Sequence, residues 1–75
     1  MNAKTKKHLL KAIGSNLAAA RHRAELTQAT VAKRAGISTA YLSLLERGAR
    51  NAPSTTLVEL AQAVACEPSR ILHAV

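Results

Sequence analysis

Residues 27–48 constrain the fold more than any other stretch, because two short helical patterns follow each other there with few residues between them. The patterns occupy residues 28–35 and 39–46, and each repeats apolar side chains at the three- to four-residue spacing of one helix face. The residues on these faces are Val31, Ala32 and Ala35 in the first pattern and Leu42 and Leu45 in the second. The spacing predicts two helices of about two turns each.

Both predicted helices are flanked by residues that start or stop helices. Thr27 and Ser38 each precede a helix, where a side-chain hydroxyl can accept a hydrogen bond from a backbone N–H of the first turn. Gly36 follows the first helix, where glycine most easily adopts the left-handed conformation that ends it. Two short helices joined by a glycine-containing turn of about three residues have the spacing of a helix-turn-helix. On that interpretation the second helix enters a DNA major groove.

Apolar spacing elsewhere predicts further helices and no strands, so the fold class is all-α. A first helix is indicated by apolar residues three or four apart from Leu10 to Ala24. A fourth follows Pro53, and Ser54, Thr55 and Thr56 each offer a cap for its start. The five predicted helices span residues 9–24, 28–35, 39–47, 55–64 and 68–73.

The charge of the chain favours a polyanion as its partner. Eleven Lys and Arg stand against four acidic residues, for a net charge of +7 in 75 residues. A solubilising surface is the alternative. Residues 1–8 are interpreted as a basic N-terminal arm or an extension of the first helix, and residues 9–75 as one domain. The basic segment could contact phosphates or a minor groove, or serve as a solubilising tail.

No set of side chains indicates catalysis, a metal site or a cofactor. The three histidines, His8, His22 and His73, are scattered without acidic or cysteine partners. The single cysteine, Cys66, has no disulfide partner in the chain and is interpreted as a packing residue. No secretory or membrane-spanning stretch is visible, which predicts a cytoplasmic protein without membrane contact.

Five residues at fixed spacing carry a resemblance to a known family: Gln28, Gly36, Ser43, Glu46 and Gly48. With them in this order and spacing, the chain resembles the lambda-repressor-like (Cro/XRE-type) helix-turn-helix family from about Ile13 to Leu72. Residues 41–51, read as Tyr-x-Ser-x-x-Glu-Arg-Gly-x-Arg-Asn, also resemble the controller proteins of restriction–modification systems. The resemblance implies a compact five-helix domain that binds DNA as a homodimer, usually as a nucleoid-associated bacterial or phage transcription regulator.

The resemblance also implies roles for individual residues. Arg21, late in the first helix, is expected to form a structural ion pair with Glu46, and Gln28 is expected to clamp the DNA backbone. The predicted phosphate contacts, several of them at helix starts that suit an anion, are Thr27, Gln28, Ser38, Tyr41, Arg50, Asn51 and Ser54. The predicted major-groove contacts are Thr39, Ala40, Ser43, Leu44 and Arg47.

The second helix of the motif departs from the usual pattern of base recognition. Strong direct readout uses Arg on guanine and Gln or Asn on adenine, and none of these lies within residues 39–46. Either Arg47 or Arg50 supplies a guanine contact, or the site is read through DNA shape and deformability. The most direct prediction is a repressor or autoregulatory switch on a palindromic operator, without a small-molecule effector.

A dimer would supply the contact area that a single small module lacks. Leu72 and Val75 are the predicted dimer surface, and closure of the monomer core is the alternative for the apolar C-terminal residues. The rival function is a protein-interaction module, such as an antitoxin-like adaptor, that retains the fold with little DNA binding.

Overall fold

The computed structural model describes residues 2–66 and 71–72. This part of the chain contains four α-helices and no strand, which confirms the all-α class. The helices are α1 (Ala3–Arg23), α2 (Gln28–Ala35), α3 (Thr39–Glu46) and α4 (Ser54–Ala63). The predicted count of five is not matched. Most of the fifth predicted helix, 68–73, lies outside the described residues. Ile71 and Leu72 are the two residues of that range that the structure describes, and both have helical backbone.

Helix α1 begins at Ala3, whereas the apolar pattern predicted a start at residue 9. Asn2 caps it, because its side-chain oxygen accepts a hydrogen bond from the Thr5 N–H at 2.9 Å. Residues 3–8 therefore continue the first helix, although they add no apolar face to the pattern. The helix ends at Arg23, after which Glu25 has a positive φ of 57°.

The two central helices lie close to their predicted bounds. Helix α2 covers residues 28–35 as predicted, whereas α3 begins at Thr39 as predicted but ends at Glu46, one residue before the predicted end, with Arg47 as its C-cap. Both predicted caps are confirmed: the Thr27 hydroxyl accepts from the Thr30 N–H at 3.1 Å, and the Ser38 hydroxyl accepts from the Tyr41 N–H at 3.0 Å. Gly36 has a φ of 72°, the left-handed conformation predicted for it.

The predicted start of the fourth helix is wrong by one residue, and so is its cap. Pro53 is the N-cap of α4, and no side chain makes a capping hydrogen bond there. The Pro53 carbonyl oxygen already accepts from the Leu57 N–H at 3.1 Å. Ser54 is therefore the first helical residue and lies too far along the chain to act as the cap.

The core lies where α2 packs against both α3 and α4, and where α1 packs against α3. Its fully buried large side chains are Leu17, Val31, Leu42, Leu60 and Ile71. Asn16 also holds Ile71, because its side-chain amide donates to the Ile71 carbonyl oxygen at 2.9 Å. Within the described ranges no helix combines the length and the hydropathy needed to cross a bilayer.

Gly14 lets the backbones of α1 and α3 come into direct contact. A Cβ atom at this position would lie 2.6 Å from the Glu46 carbonyl oxygen and closer still to that of Leu45. Only a residue without a side chain fits, although glycine costs about 1 kcal/mol relative to alanine inside a helix. This close crossing brings the later turns of α1 next to the C-terminal end of α3.

Candidate nucleic-acid interface

Helix α3 buries one face and leaves the other open to solvent. Leu42 and Leu45 are buried in the core, at 0% and 5% exposure. Thr39, Ala40 and Arg47 are exposed, and Ser43 and Leu44 are half-buried. The five residues predicted to face a major groove therefore lie outside the core cluster.

The start of α2 offers backbone donors, and none of its own first-turn side chains is acidic. The first N–H groups of a helix have no partner within the helix, and Thr27 satisfies the N–H of Thr30. The first turn contains no acidic residue. The same holds for the first turns of α3 and α4, after Ser38 and at Ser54. These helix starts suit a bound anion.

A largely buried ion pair fixes the end of α3 against α1. Arg21 Nε donates to Glu46 Oε2 at 2.8 Å and Arg21 Nη2 donates to Glu46 Oε1 at 3.1 Å, so the contact is bidentate. The two side chains are 12% and 7% exposed. Arg21 Nη1 also donates to the Leu26 carbonyl oxygen at 3.0 Å. The structure thus brings together the two residues that the family resemblance pairs.

Gln28 is joined to the same carboxylate. Its amide nitrogen Nε2 donates to Glu46 Oε1 at 2.9 Å, which links the start of α2 to the end of α3. The sequence predicts a phosphate contact for Gln28 and gives no sign of this bond. An amide nitrogen carries two hydrogens, so the contact with Glu46 leaves one of them for another acceptor.

Tyr41, the single aromatic residue of the chain, holds the loop that follows α3. Its hydroxyl donates to the Asn51 carbonyl oxygen at 3.2 Å. The Arg50 guanidinium carbon lies 5.8 Å from the centre of the Tyr41 ring, within the range of a cation–π contact. The hydroxyl has one donor hydrogen, so Tyr41 would have to give up its bond to Asn51 to donate to a phosphate. No local pattern in the sequence indicates this link.

Leu72 and Val75 are the residues predicted for a dimer surface. Leu72 is 43% exposed, which fits a surface role, and Val75 lies outside the described residues.

Cys66 is partly buried against the core. Arg34, for which the sequence predicts no role, donates to the Ala63 carbonyl oxygen at the end of α4 at 3.1 Å. Among the described residues, no three His, Cys, Asp or Glu side chains are grouped to hold a metal ion.

Helices α2 and α3 are short and are joined at a left-handed glycine, and α3 exposes its outer face beside helix starts that suit an anion. This arrangement defines a helix-turn-helix protein of the DNA-binding class. The family described as "Helix-turn-helix domain" matches residues 12–74, and the chain belongs to this family. This membership, with the similarities below, confirms the resemblance drawn from Gln28, Gly36 and the residues that follow them.

Individual relatives agree with the family. The chain is 54% identical over 54 residues to an uncharacterized HTH-type transcriptional regulator, y4dJ, of Sinorhizobium fredii, in a match covering 72% of this chain and 70% of that protein. The restriction-modification controller protein C.AhdI from Aeromonas hydrophila is similar in structure, with a TM-score of 0.80, 32% identity, and coverage of 83% of this chain and 94% of that one. The clp gene regulator ClgR from C. glutamicum is also similar, with a TM-score of 0.83, 29% identity, and coverage of 87% and 84%.

Proposed function

We propose that this protein is a sequence-specific, double-stranded DNA-binding transcription regulator that inserts α3 into the major groove. The observation that carries the proposal is the exposed outer face of α3, where Thr39, Ala40 and Arg47 are open to solvent while Leu42 and Leu45 anchor the helix. An α-helix fits the width of the B-DNA major groove, and its exposed side chains then reach the base edges.

Phosphate binding on both sides of the groove would fix the register of α3. On one side we assign Thr27 and Gln28 at the start of α2, where the second amide hydrogen of Gln28 is directed to a phosphate and the first stays with Glu46. On the other side we assign Arg50 and Asn51, supported by Tyr41, together with Ser54 at the start of α4. Ser38 contributes at the start of α3 through its neighbouring backbone amides.

Base recognition in this proposal combines apolar contacts with a single strong donor. Ala40, the Thr39 methyl group and Leu44 can contact thymine methyl groups, and the Thr39 and Ser43 hydroxyls can each make a single hydrogen bond. Arg47 is the C-cap of α3 and is exposed, which makes it the donor best placed for a guanine. DNA shape and deformability would supply the rest of the specificity.

We infer that the protein binds as a homodimer on a palindromic operator. Leu72, at 43% exposure, and Val58 of α4, at 41%, are the exposed large apolar side chains of the described residues. Leu72 follows the buried Ile71, whose carbonyl oxygen Asn16 holds, so its position is fixed relative to α1. A two-fold axis would place the recognition helices about 34–36 Å apart on successive major grooves. Leu72→Glu should shift the protein to monomer in sedimentation equilibrium, and a dimer that persists would move the interface elsewhere.

Footprinting tests the proposal most directly. The protein would be titrated against the DNA upstream of its own coding sequence and against a random duplex of equal length, at about 50 mM and 200 mM salt. We expect protection of a two-fold symmetric site, with affinity falling by about 10³ or more between the two salt concentrations if six or more phosphates are contacted. A site that overlaps a promoter would support repression or autoregulation.

The result that would overturn the proposal is an absence of duplex binding at the lower salt concentration. That outcome would favour a protein-interaction adaptor, for which the scarcity of strong base donors on α3 is the specific observation.

A further inference from the structure

The N-terminal turns of α1 extend beyond the core as an exposed basic helix. The first buried residue of α1 is Gly14, and residues 2–8 are all exposed. Lys4, Lys7 and Lys11 are spaced by three and four residues, which aligns them along one side of the helix. We call these three residues the lysine face.

The lysine face runs toward the interface assigned above, because α1 lies against the loop that follows α3. A Cβ atom at Gly48 would lie 2.7 Å from Lys11 Cα and 2.8 Å from Lys11 N, so the two backbones are in contact. Gly14, one turn further along the same side of α1, contacts the carbonyl groups at the end of α3. The lysine face is therefore continuous with the side of α1 that meets the end of α3 and Gly48.

No carboxylate within the helix balances this charge. Residues 3–24 contain no Asp or Glu, and the Glu46 carboxylate is already paired with Arg21 and Gln28. Like charges three or four residues apart on a helix repel each other, and an anionic partner removes that repulsion. The helix also fixes the spacing of the three lysines along one side, whereas a disordered basic tail would leave it variable.

We propose that the lysine face is a second phosphate-binding surface, which contacts the DNA backbone next to the phosphates assigned above to Arg50 and Asn51. This inference rests on the proposed function, since it concerns the same duplex. It adds three ammonium groups that contribute affinity and salt dependence but no choice between base sequences.

The test compares the wild type with the triple variant Lys4→Gln, Lys7→Gln, Lys11→Gln on one operator duplex over a series of salt concentrations. The slope of log K against log salt should become shallower by about 0.9 for each phosphate that the variant subunit no longer neutralises. The ratio of specific to non-specific affinity should stay the same. Circular dichroism checks that α1 remains folded, as these side chains are exposed and glutamine is a good helix former.

Lys33→Gln is the matched control, because Lys33 is an exposed lysine in the last turn of α2 to which no phosphate is assigned. Ethylation interference supplies the position: some phosphates should weaken wild-type binding when ethylated but leave binding of the triple variant unchanged. A triple variant whose slope equals that of the wild type, or whose interference pattern is identical to it, overturns the inference while the proposed function stands. A wild type that binds no duplex removes both.

Discussion

Arg21 and Glu46 lie 25 residues apart in the sequence, yet the guanidinium of one binds the carboxylate of the other at 2.8 and 3.1 Å. Gln28 donates to the same carboxylate at 2.9 Å. Three helices thus meet at one acceptor: α1 through Arg21, α2 through Gln28 and α3 through Glu46. This junction sets the position of α3 relative to the start of α2. In the proposed function that position decides whether α3 can enter a groove while the start of α2 contacts the neighbouring phosphates.

Arg21→Ala should therefore destabilise the fold strongly and abolish DNA binding as a consequence. Removing the arginine leaves a largely buried carboxylate with Gln28 as its remaining partner, which costs about 3–5 kcal/mol. For a domain of this size each kcal/mol lowers Tm by about 4–8 °C. Arg23→Ala, an exposed arginine at the end of the same helix, is the control and should change stability by less than about 0.5 kcal/mol. If Arg21→Ala had the same Tm as the wild type, the Arg21–Glu46 pair would not contribute to the stability of the fold.

Gly14→Ala should be destabilising, against the usual effect of alanine in a helix. In an open helix this change would stabilise by about 1 kcal/mol. Here the new Cβ would overlap the Leu45 and Glu46 carbonyl oxygens, so α1 and α3 must separate. Urea unfolding should show a lower midpoint for Gly14→Ala. The neighbouring Ser15→Ala, on an exposed position, should be neutral or slightly stabilising. Equal or higher stability of Gly14→Ala would mean that the two helices separate without cost.

Ser38→Ala and Ser54→Ala should differ, although both serines stand at the start of a helix. The Ser38 hydroxyl accepts the Tyr41 N–H, and its removal should cost about 1 kcal/mol of unfolding free energy. Ser54 makes no capping bond, because Pro53 occupies the N-cap position. Ser54→Ala should stay within about 0.5 kcal/mol of the wild type. Denaturant titration of both variants decides the matter, and an equal loss of stability in the two would contradict the cap assignment.

Ala65→Gly should stabilise the protein. Ala65 follows α4 with a φ of 55°, and its N–H donates to the Gln62 carbonyl oxygen at 3.1 Å, the arrangement of a left-handed helix end. A side chain in this conformation costs about 1 kcal/mol, which glycine avoids. Ala19→Gly, at an exposed position inside α1, is the control and should lower the free energy of unfolding by about 1 kcal/mol. Thermal unfolding should rank Ala65→Gly above the wild type and Ala19→Gly below it, and the reverse order would be inconsistent with the strained backbone at residue 65.

The elements predicted best from the sequence are those whose signals are local. The bounds of α2, the caps at Thr27 and Ser38 and the left-handed Gly36 all depend on residues within four positions of each other. The same local reasoning misplaces two helix starts. Asn2 does not stand out as a cap because no apolar periodicity follows it, and three adjacent hydroxyls at residues 54–56 hide the fact that Pro53 itself precedes the first helical residue.

Contacts between distant segments were predicted only where the family resemblance supplied the partner. The Arg21–Glu46 pair came from that source. Three other long-range hydrogen bonds were not predicted: Gln28 to Glu46, Tyr41 to Asn51 and Arg34 to Ala63. The type of a side chain shows what it can donate but not which acceptor the fold brings near. The need for glycine at position 14 is visible only in the structure, where the backbones of α1 and α3 cross in direct contact.

Arg47 and Arg50 should have different parts in DNA recognition, although they lie three residues apart in one loop. Arg50 lies over the Tyr41 ring, whose hydroxyl donates to the Asn51 carbonyl oxygen, so this arginine is grouped with Asn51 in the proposed phosphate contacts. Arg47 is exposed and is the C-cap of α3, directly after the residues proposed to face the groove. In a base-by-base operator scan, Arg47→Ala should abolish the preference for guanine at one position of each half-site, a change of about 1–3 kcal/mol there. Arg50→Ala should weaken binding to all sequences alike and make the salt dependence shallower by about 0.9 in the logarithmic slope for each phosphate that is no longer neutralised.

Strong guanine preference that survives both substitutions would exclude either arginine as its source, and a wild type without any guanine preference would point to recognition through DNA shape.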